Sequence, residues 1–467
     1  MHARARILAV EGTVALVLGF LSAGCSDDVA PKPPATTHPV SEAGTDGSSG
    51  GIDGSASTDG GASTDAGTPE GGPCTVNLKP GSNDTATVQG ALIDAKSGDV
   101  ICLGTGHYTF TDQLSLATSG VTLRGASGTL LDFTGQKMGA NALELTGNDD
   151  VVDTIHIENP QGDGIRATEV TGVTIRHARV EWTGGPNSAN GGYGIYPVTS
   201  SKVLIENSYV SGASDTGIYV GQSSQIIVRN NESTGNVAGI EIENSTDAEV
   251  YGNHSHDNAG GILIFNLPGL NVKDGKRANV HDNLVDSNNG TNFAAAGNIV
   301  ADVPSGTGMF VLAADHNEIH GNTVKSNQTV GIAILSWYVA LRDAEGKADP
   351  AFDWYPEGNY VHDNILSMNG ATPQGRGQLI ASLVGVTTLP DIAWDGIIDW
   401  TKIYGDAGAL PDGGQNAAAI PNEQRNCFKS NGTATFMNLD LADNGKNKSS
   451  DLTPVDCEQT ALAPIVF

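Results

Sequence analysis

Gly217-Ile218-Tyr219-Val220-Gly221-Gln222-Ser223 is followed, 22 residues on, by Gly239-Ile240-Glu241-Ile242-Glu243-Asn244-Ser245. Glycine followed by an aliphatic residue also occurs at Gly164-Ile165, Gly194-Ile195, Gly261-Ile262, Gly308-Met309 and Gly331-Ile332. The seven pairs are spaced 30, 23, 22, 22, 47 and 23 residues apart. A period near 22 is too short for a globular domain and matches one coil of a solenoid. Each coil carries a second apolar strand about ten residues after the first. Examples are Val203-Leu204-Ile205, Ile226-Ile227-Val228 and Asn279-Val280-His281. Branched residues on alternate positions point inward, and the residues between them point out.

Working outward, an asparagine recurs two residues beyond the outward residue that follows the last inward one (Arg229, Tyr251, His281, His320, His362), at Asn231, Asn253, Asn283, Asn322 and Asn364. Stacked at strand spacing, their amides would bond from rung to rung. Residues 84–96 read as a short helix with Val88, Ala91, Leu92 and Ala95 on one face, which suits the cap that a solenoid end needs. Long insertions interrupt the later coils at 266–279, 287–306, 337–358 and 371–425. The expected fold is all-β: a single-stranded right-handed parallel β-helix over 74–467 with a short N-terminal capping helix.

Composition agrees. The chain has 467 residues, 61 of them glycine, with 16% charged residues and a net charge of −29. Such a surface repels nucleic acid and anionic lipid, so no nucleic-acid partner is expected. Residues 1–25 form an export signal: Arg4 and Arg6, an apolar run from Ile7, then Leu21-Ser22-Ala23-Gly24-Cys25. Residues 26–73 are rich in Ser, Gly, Pro and Asp and read as a disordered tether with a mean span of roughly 40 Å. Four further cysteines, Cys74, Cys102, Cys427 and Cys457, allow three pairings. Cys74–Cys102 and Cys427–Cys457 are favoured, because each closes a short loop at one end of the solenoid.

The cysteine at the cut resembles the lipobox of bacterial lipoproteins, in which it is acylated. Gly-Ile strands with asparagine ladders resemble the right-handed parallel β-helix superfamily of pectate and alginate lyases and mannuronan C5-epimerases. The superfamily also includes a periplasmic accessory protein of copper-enzyme maturation. Val180-Glu181-Trp182-Thr183-Gly184-Gly185-Pro186, with the two stretches quoted first, is similar to a bacterial family of β-helix lipoproteins. The resemblance implies the fold and a lipid-anchored place in the cell envelope, at the outer membrane or cell surface. It carries over no catalytic residue, and the Asp-Pro-His-Asp motif of the epimerases is absent.

Function must lie on outward positions or loops. One outward column reads Arg166, Tyr196, Tyr219, Glu241, Leu263, Phe310, Ala333, and a second Thr168, Val198, Gly221, Glu243, Phe265, Leu312, Leu335. Asp163 and Asp215 stand near the glycines. These groups suit a lyase or epimerase acting on a polysaccharide. Arg166 would clamp a carboxylate, Asp215 or Glu241 would act as base or calcium ligand, and Tyr219 would be the acid. Tyr196, Glu243, Trp337 and Trp354 are candidate binding residues. Trp337, Trp354, Trp394 and Trp400 lie in the last insertions, as a sugar-binding wall or as cover for the coil's open end. The plain alternative is cross-rung pairing on a solvated sheet face. His281, His320 and His362 fall on successive rungs and are candidate copper or zinc ligands, although stacked imidazoles converge poorly on one ion. The competing function class is a non-catalytic envelope scaffold or binding protein, with or without metal handling for a protein partner.

Overall fold

The structure is a computed structural model and describes residues 72–399 and 420–467. The expectations for the 1–25 signal, for Cys25, for the tether up to residue 71 and for Trp400 lie outside the described residues. The described chain is a right-handed parallel β-helix. Its coil has three strands per turn where two were expected. The three sheets hold 12, 11 and 10 strands, every neighbouring pair parallel and about 22 or more residues apart in sequence.

One coil shows the construction. Thr216–Gly221 lies in one sheet, Ser224–Arg229 in the next and Glu232–Thr234 in the third, and Ala238–Glu243 then starts the rung above. Single residues in the left-handed region turn the corners: Gln222 at φ 49° and Asn230 at φ 54°. Polar residues tolerate that region by bonding locally. The third strands are only about three residues long and most bury a single apolar residue, such as Val180, Val210, Val285 or Val324, while two bury a serine instead. Ser233 and Ser255 are wholly buried, and their hydroxyls donate to the carbonyls of Gly239 and Gly261 at 2.8 and 3.0 Å.

Inward residues stack in register. Ile218 pairs with Ile240 and Ile240 with Ile262, all wholly buried, and Val220, Ile242 and Ile264 form a parallel file. Each such side chain stabilises the fold by about 1.5–3 kcal/mol. The glycine of each pair sits at a crowded corner. A Cβ on Gly239 would lie 2.1 Å from Ser255 Oγ and 2.7 Å from the Gly261 carbonyl oxygen, so no side chain fits.

The expected asparagine ladder is present and runs further, from Asn231 through Asn253, Asn283, Asn322 and Asn364 to Asn431. In each step an Nδ2–H and a backbone N–H share the next Oδ1 at about 3 Å. A second ladder joins Asn236, Asn258, Asn288, Asn327 and Asn369, and a third joins Asn317, Asn359 and Asn426.

Helix α1, Asp84–Asp94, caps the first coils, burying Val88 and Leu92. The two favoured disulfides, Cys74–Cys102 and Cys427–Cys457, are both formed. The insertion read at 371–425 is partly coil: it contains α2, Gly375–Leu383, and a strand Ile392–Trp394 that pairs with Ile332–Ile334. Beyond Cys457 the chain turns back along the solenoid. Leu462 N–H donates to Glu318 Oε2 at 2.6 Å and Ile465 N–H to Glu249 Oε2 at 3.0 Å. No helix among the described residues is long and apolar enough to cross a membrane.

Candidate functional site

The outward columns of the 11-stranded sheet are in the expected register. Arg166 pairs with Tyr196, Tyr219 with Glu241, Glu241 with Leu263 and Leu263 with Phe310. The expectation of a solvated face is wrong for the middle of the sheet. Tyr219 is 4% exposed, Glu241 3% and Glu243 8%. The later insertions supply the cover. A short 3-10 turn, Ile299–Asp302, and helix α2 wall a cavity of about 140 Å³ over this sheet. One end of the cavity is lined by Tyr193, Asp215, Glu241 and Glu243, the rest mainly by apolar side chains.

At the polar end, three tyrosines pack together. Ring centroids are 4.3 Å apart for Tyr193–Tyr196, 4.8 Å for Tyr193–Tyr219 and 4.9 Å for Tyr196–Tyr219. Tyr219 lies flat along its strand because Gly221 has no side chain. A Cβ there would come within 2.1 Å of the Tyr219 hydroxyl. That phenol stands beside the Glu243 carboxyl and Tyr193 beside Asp215, each favouring the charged form of its neighbour. Thr216 Oγ1 donates to Asp215 Oδ1 at 3.1 Å. Arg166 closes the outer edge, 3.7 Å from Asp163 and 4.9 Å from the Tyr196 ring centroid.

Burial sets the electrostatics, because low dielectric disfavours the charged form of an acid. It pushes Asp215 up to about 6, with the nearby Asp163 charge adding to the rise. Asp163 is likewise pushed up to about 6, against the pull of Arg166. Glu243 is pushed up to about 7, although the Tyr219 phenol beside it opposes the shift. Glu241 is held well above the usual carboxylate range by burial first and Asp215 second. The same burial, with the carboxylates around them, raises the phenols of Tyr193 and Tyr219. Neighbouring carboxyls thus sit in different protonation states near neutrality, the pattern of an acid–base site.

The structure brings together Asp215, Tyr219, Glu241, Glu243 and Tyr196, with Arg166 at the rim. Tyr193 was missed, although its place directly before Gly194 repeats that of Asp163 before Gly164. Trp337 and Trp354 stand elsewhere. Trp337 is wholly buried, its ring 5.3 Å from Phe352 and its Nε1 bonded to the Arg342 carbonyl at 3.3 Å. Trp354 packs on the same small core, and Trp394 lies inside the coil. These rings cover apolar surface and do not line the cavity.

The histidine column is a stack. Tyr251, His281, His320 and His362 lie nearly parallel with centroids 4.9, 5.0 and 5.0 Å apart. Their nitrogens point sideways to partners. His281 faces Glu249 and Asp282, His320 faces Asn279, and His362 faces Glu318 and Asp363. The three rings therefore do not converge on one point as copper or zinc ligands must. Among the described residues, two groups bring three ligand atoms within 4.8 Å of one another. They are His156–Glu158–Glu181 and Asp315–Asp353–Glu357, and the Asp215–Glu241–Glu243 cluster is not a preformed calcium cage of that kind. In the first group, Arg179 already grips Glu181 through two 2.7 Å bonds.

Comparison with known proteins supports the architecture. The family model described as "Right handed beta helix region" matches residues 119–266 and 187–342. No curated protein sequence matches the chain. The A-module of the Azotobacter vinelandii mannuronan C-5 epimerase AlgE4 is similar at 13% identity and a TM-score of 0.42, over 68% of this chain and 88% of that one. The periplasmic alginate epimerase AlgG gives 14%, 0.38, 58% and 72%. The DFA-IIIase of Arthrobacter chlorophenolicus A6 gives 12%, 0.38, 64% and 81%. At these identities the likeness concerns the fold alone.

Proposed function

We propose that this right-handed β-helix binds and processes a polysaccharide at the Asp215–Tyr219–Glu241–Glu243 cluster. One observation carries the reading: three carboxyls with raised and unequal proton affinities line one end of a cavity together with Tyr193, whose ring packs on Tyr196 and Tyr219. That arrangement serves proton transfer. Asp215, largely buried and pushed up to about 6, is the base that removes a proton beside a sugar carboxyl. Glu241, whose burial and the nearby Asp215 favour its protonated form, donates a hydrogen bond to that carboxyl, easing the charge that develops there. Tyr219, beside Glu243, returns a proton either to the leaving oxygen, for β-elimination, or to the sugar carbon, for epimerisation. Arg166 binds the next sugar carboxylate along the chain, at the rim. If calcium takes part, Asp215 and Glu243 are the residues that would hold it, lessening repulsion between an acidic chain and an acidic protein.

We place the protein in the bacterial cell envelope, exported and lipid-anchored through Cys25. Two disulfides support export, since such bonds persist outside the reducing cytosol.

The test is to incubate the purified chain with uronate polysaccharides, with and without calcium. Ultraviolet absorbance would reveal unsaturated ends, and proton NMR would reveal epimerised residues. Turnover of one polymer is expected, falling at least a hundredfold in Tyr219→Phe and in Glu241→Gln. A chain that neither binds nor converts any of them would be a scaffold, and the enzymatic reading would be wrong.

A further inference from the structure

The cavity does not end at the acidic cluster. Along the sheet, the outward columns change character within one rung, from Glu241 and Glu243 to Leu263 and Phe265. They stay apolar through Phe310 and Leu312 to Ala333 and Leu335. Three further rungs at about 4.8 Å each give an apolar floor roughly 14 Å long. The wall facing this floor is apolar too, with Val303 and Ile380 among its residues. Its polar groups are already engaged. Asp302 takes Arg342 at 3.0 Å and Arg376 at 2.8 Å, Arg376 also donates to the carbonyls of Val339 and Ala340, and Thr307 Oγ1 donates to the Pro304 carbonyl at 2.7 Å.

A bare sugar chain does not suit such a slot. Each ring carries hydroxyls on its rim, and a hydroxyl laid against Phe310 or Leu335 would lose water without finding a partner. The floor matches instead a flexible or flat apolar group about 14 Å long, joined to a polar head that reaches the carboxyls and phenols. We infer that the site takes an amphiphilic glycoside, a sugar bearing an acyl or alkyl chain, with the sugar at Asp215–Tyr219–Glu241–Glu243 and the chain along Phe265, Phe310, Leu312 and Leu335. This rests on the sugar reading above and specifies the class of substrate: a lipid-linked or acylated saccharide.

The full chain can be titrated calorimetrically with n-alkyl glycosides that share one sugar head and differ in chain length, each below its micelle concentration. Alkyl sulfobetaines of the same lengths and the free sugar serve as controls. Affinity for the glycosides should rise about fourfold per added methylene, and the free sugar should bind far more weakly. In a Phe310→Asn, Leu335→Asn variant, checked for an unchanged melting temperature, the rise should flatten while binding of the free sugar stays as it was. Equal affinity for sulfobetaines and glycosides of the same chain length would overturn the assignment of a sugar head, and with it the function proposed above. Turnover of polysaccharide without any dependence on chain length would overturn this inference and leave that function standing. Absence of both overturns both.

Discussion

Glu243 and Asp215 link the site to stability through their protons. Their carboxyls titrate near 7 and 6 in the folded protein, against ordinary values of 4.5 and 3.8. The folded chain therefore holds protons that the unfolded chain has already released. At pH values below both ranges the two states are equally protonated and burial of these acids costs nothing. As pH rises through about 4 to about 7, the unfolded state loses its protons first and the folded state is progressively penalised. Replacing both acids by amides, Asp215→Asn with Glu243→Gln, removes this penalty. The melting temperature of the variant relative to the parent should climb between pH 4 and pH 7, as calorimetry at several pH values can record. A difference that does not change with pH would mean that neither acid is buried as described.

The element that repeats is the rung, and its asparagines were legible because amides recur at one position of a constant period. Asn253 is 1% exposed; its Oδ1 serves both Asn231 N–H groups, and its Nδ2 binds Val228 and Asn283. Asn253→Ala should lower stability by about 1–3 kcal/mol in urea unfolding, since it leaves buried donors without acceptors. An effect near zero would show that water fills the gap. The third strand of each coil was illegible for the opposite reason: it is about three residues long with one inward side chain, Val180, Val210 or Val285 in some coils and Ser233 or Ser255 in others, too little to show a period. The column from Arg166 to Ala333 could be read from spacing alone, and so could the grouping of Tyr219 with Glu241. Their burial could not, because the covering residues, 299–304 and 375–389, come from insertions whose path no period describes. Trp337 and Trp354 misled for a related reason: an aromatic in a loop faces a ligand or a neighbouring ring, and the sequence does not say which.

At the scale of the molecule, the coils form a row of similar units closed at each end. Helix α1 and Cys74–Cys102 seal one end, and Cys427–Cys457 holds the other. Replacing Cys427 and Cys457 by serine should cost about 2–4 kcal/mol, read as a lower midpoint in guanidinium unfolding. The proposed anchor has its own check. Cys25→Ser should move the protein from the membrane fraction to the soluble fraction of cells, and full retention on the membrane would exclude acylation at that residue.

The returning C-terminal segment alters how this row behaves under load. In a solenoid each unit touches only its neighbours, so the last coils can peel away singly without disturbing those before them. Here the amides of Leu462 and Ile465 are fastened to Glu318 and Glu249, across sequence separations of 144 and 216 residues. The other oxygens of the same two carboxylates are gripped by His362 and His281. The end of the chain thus acts as a clasp, tying the terminal coils back to those that carry the cavity. Fraying from that end must first undo the clasp, so coils that would open one at a time open together. The walls of the cavity, which are borne by the later coils, are kept in place by residues that never touch it.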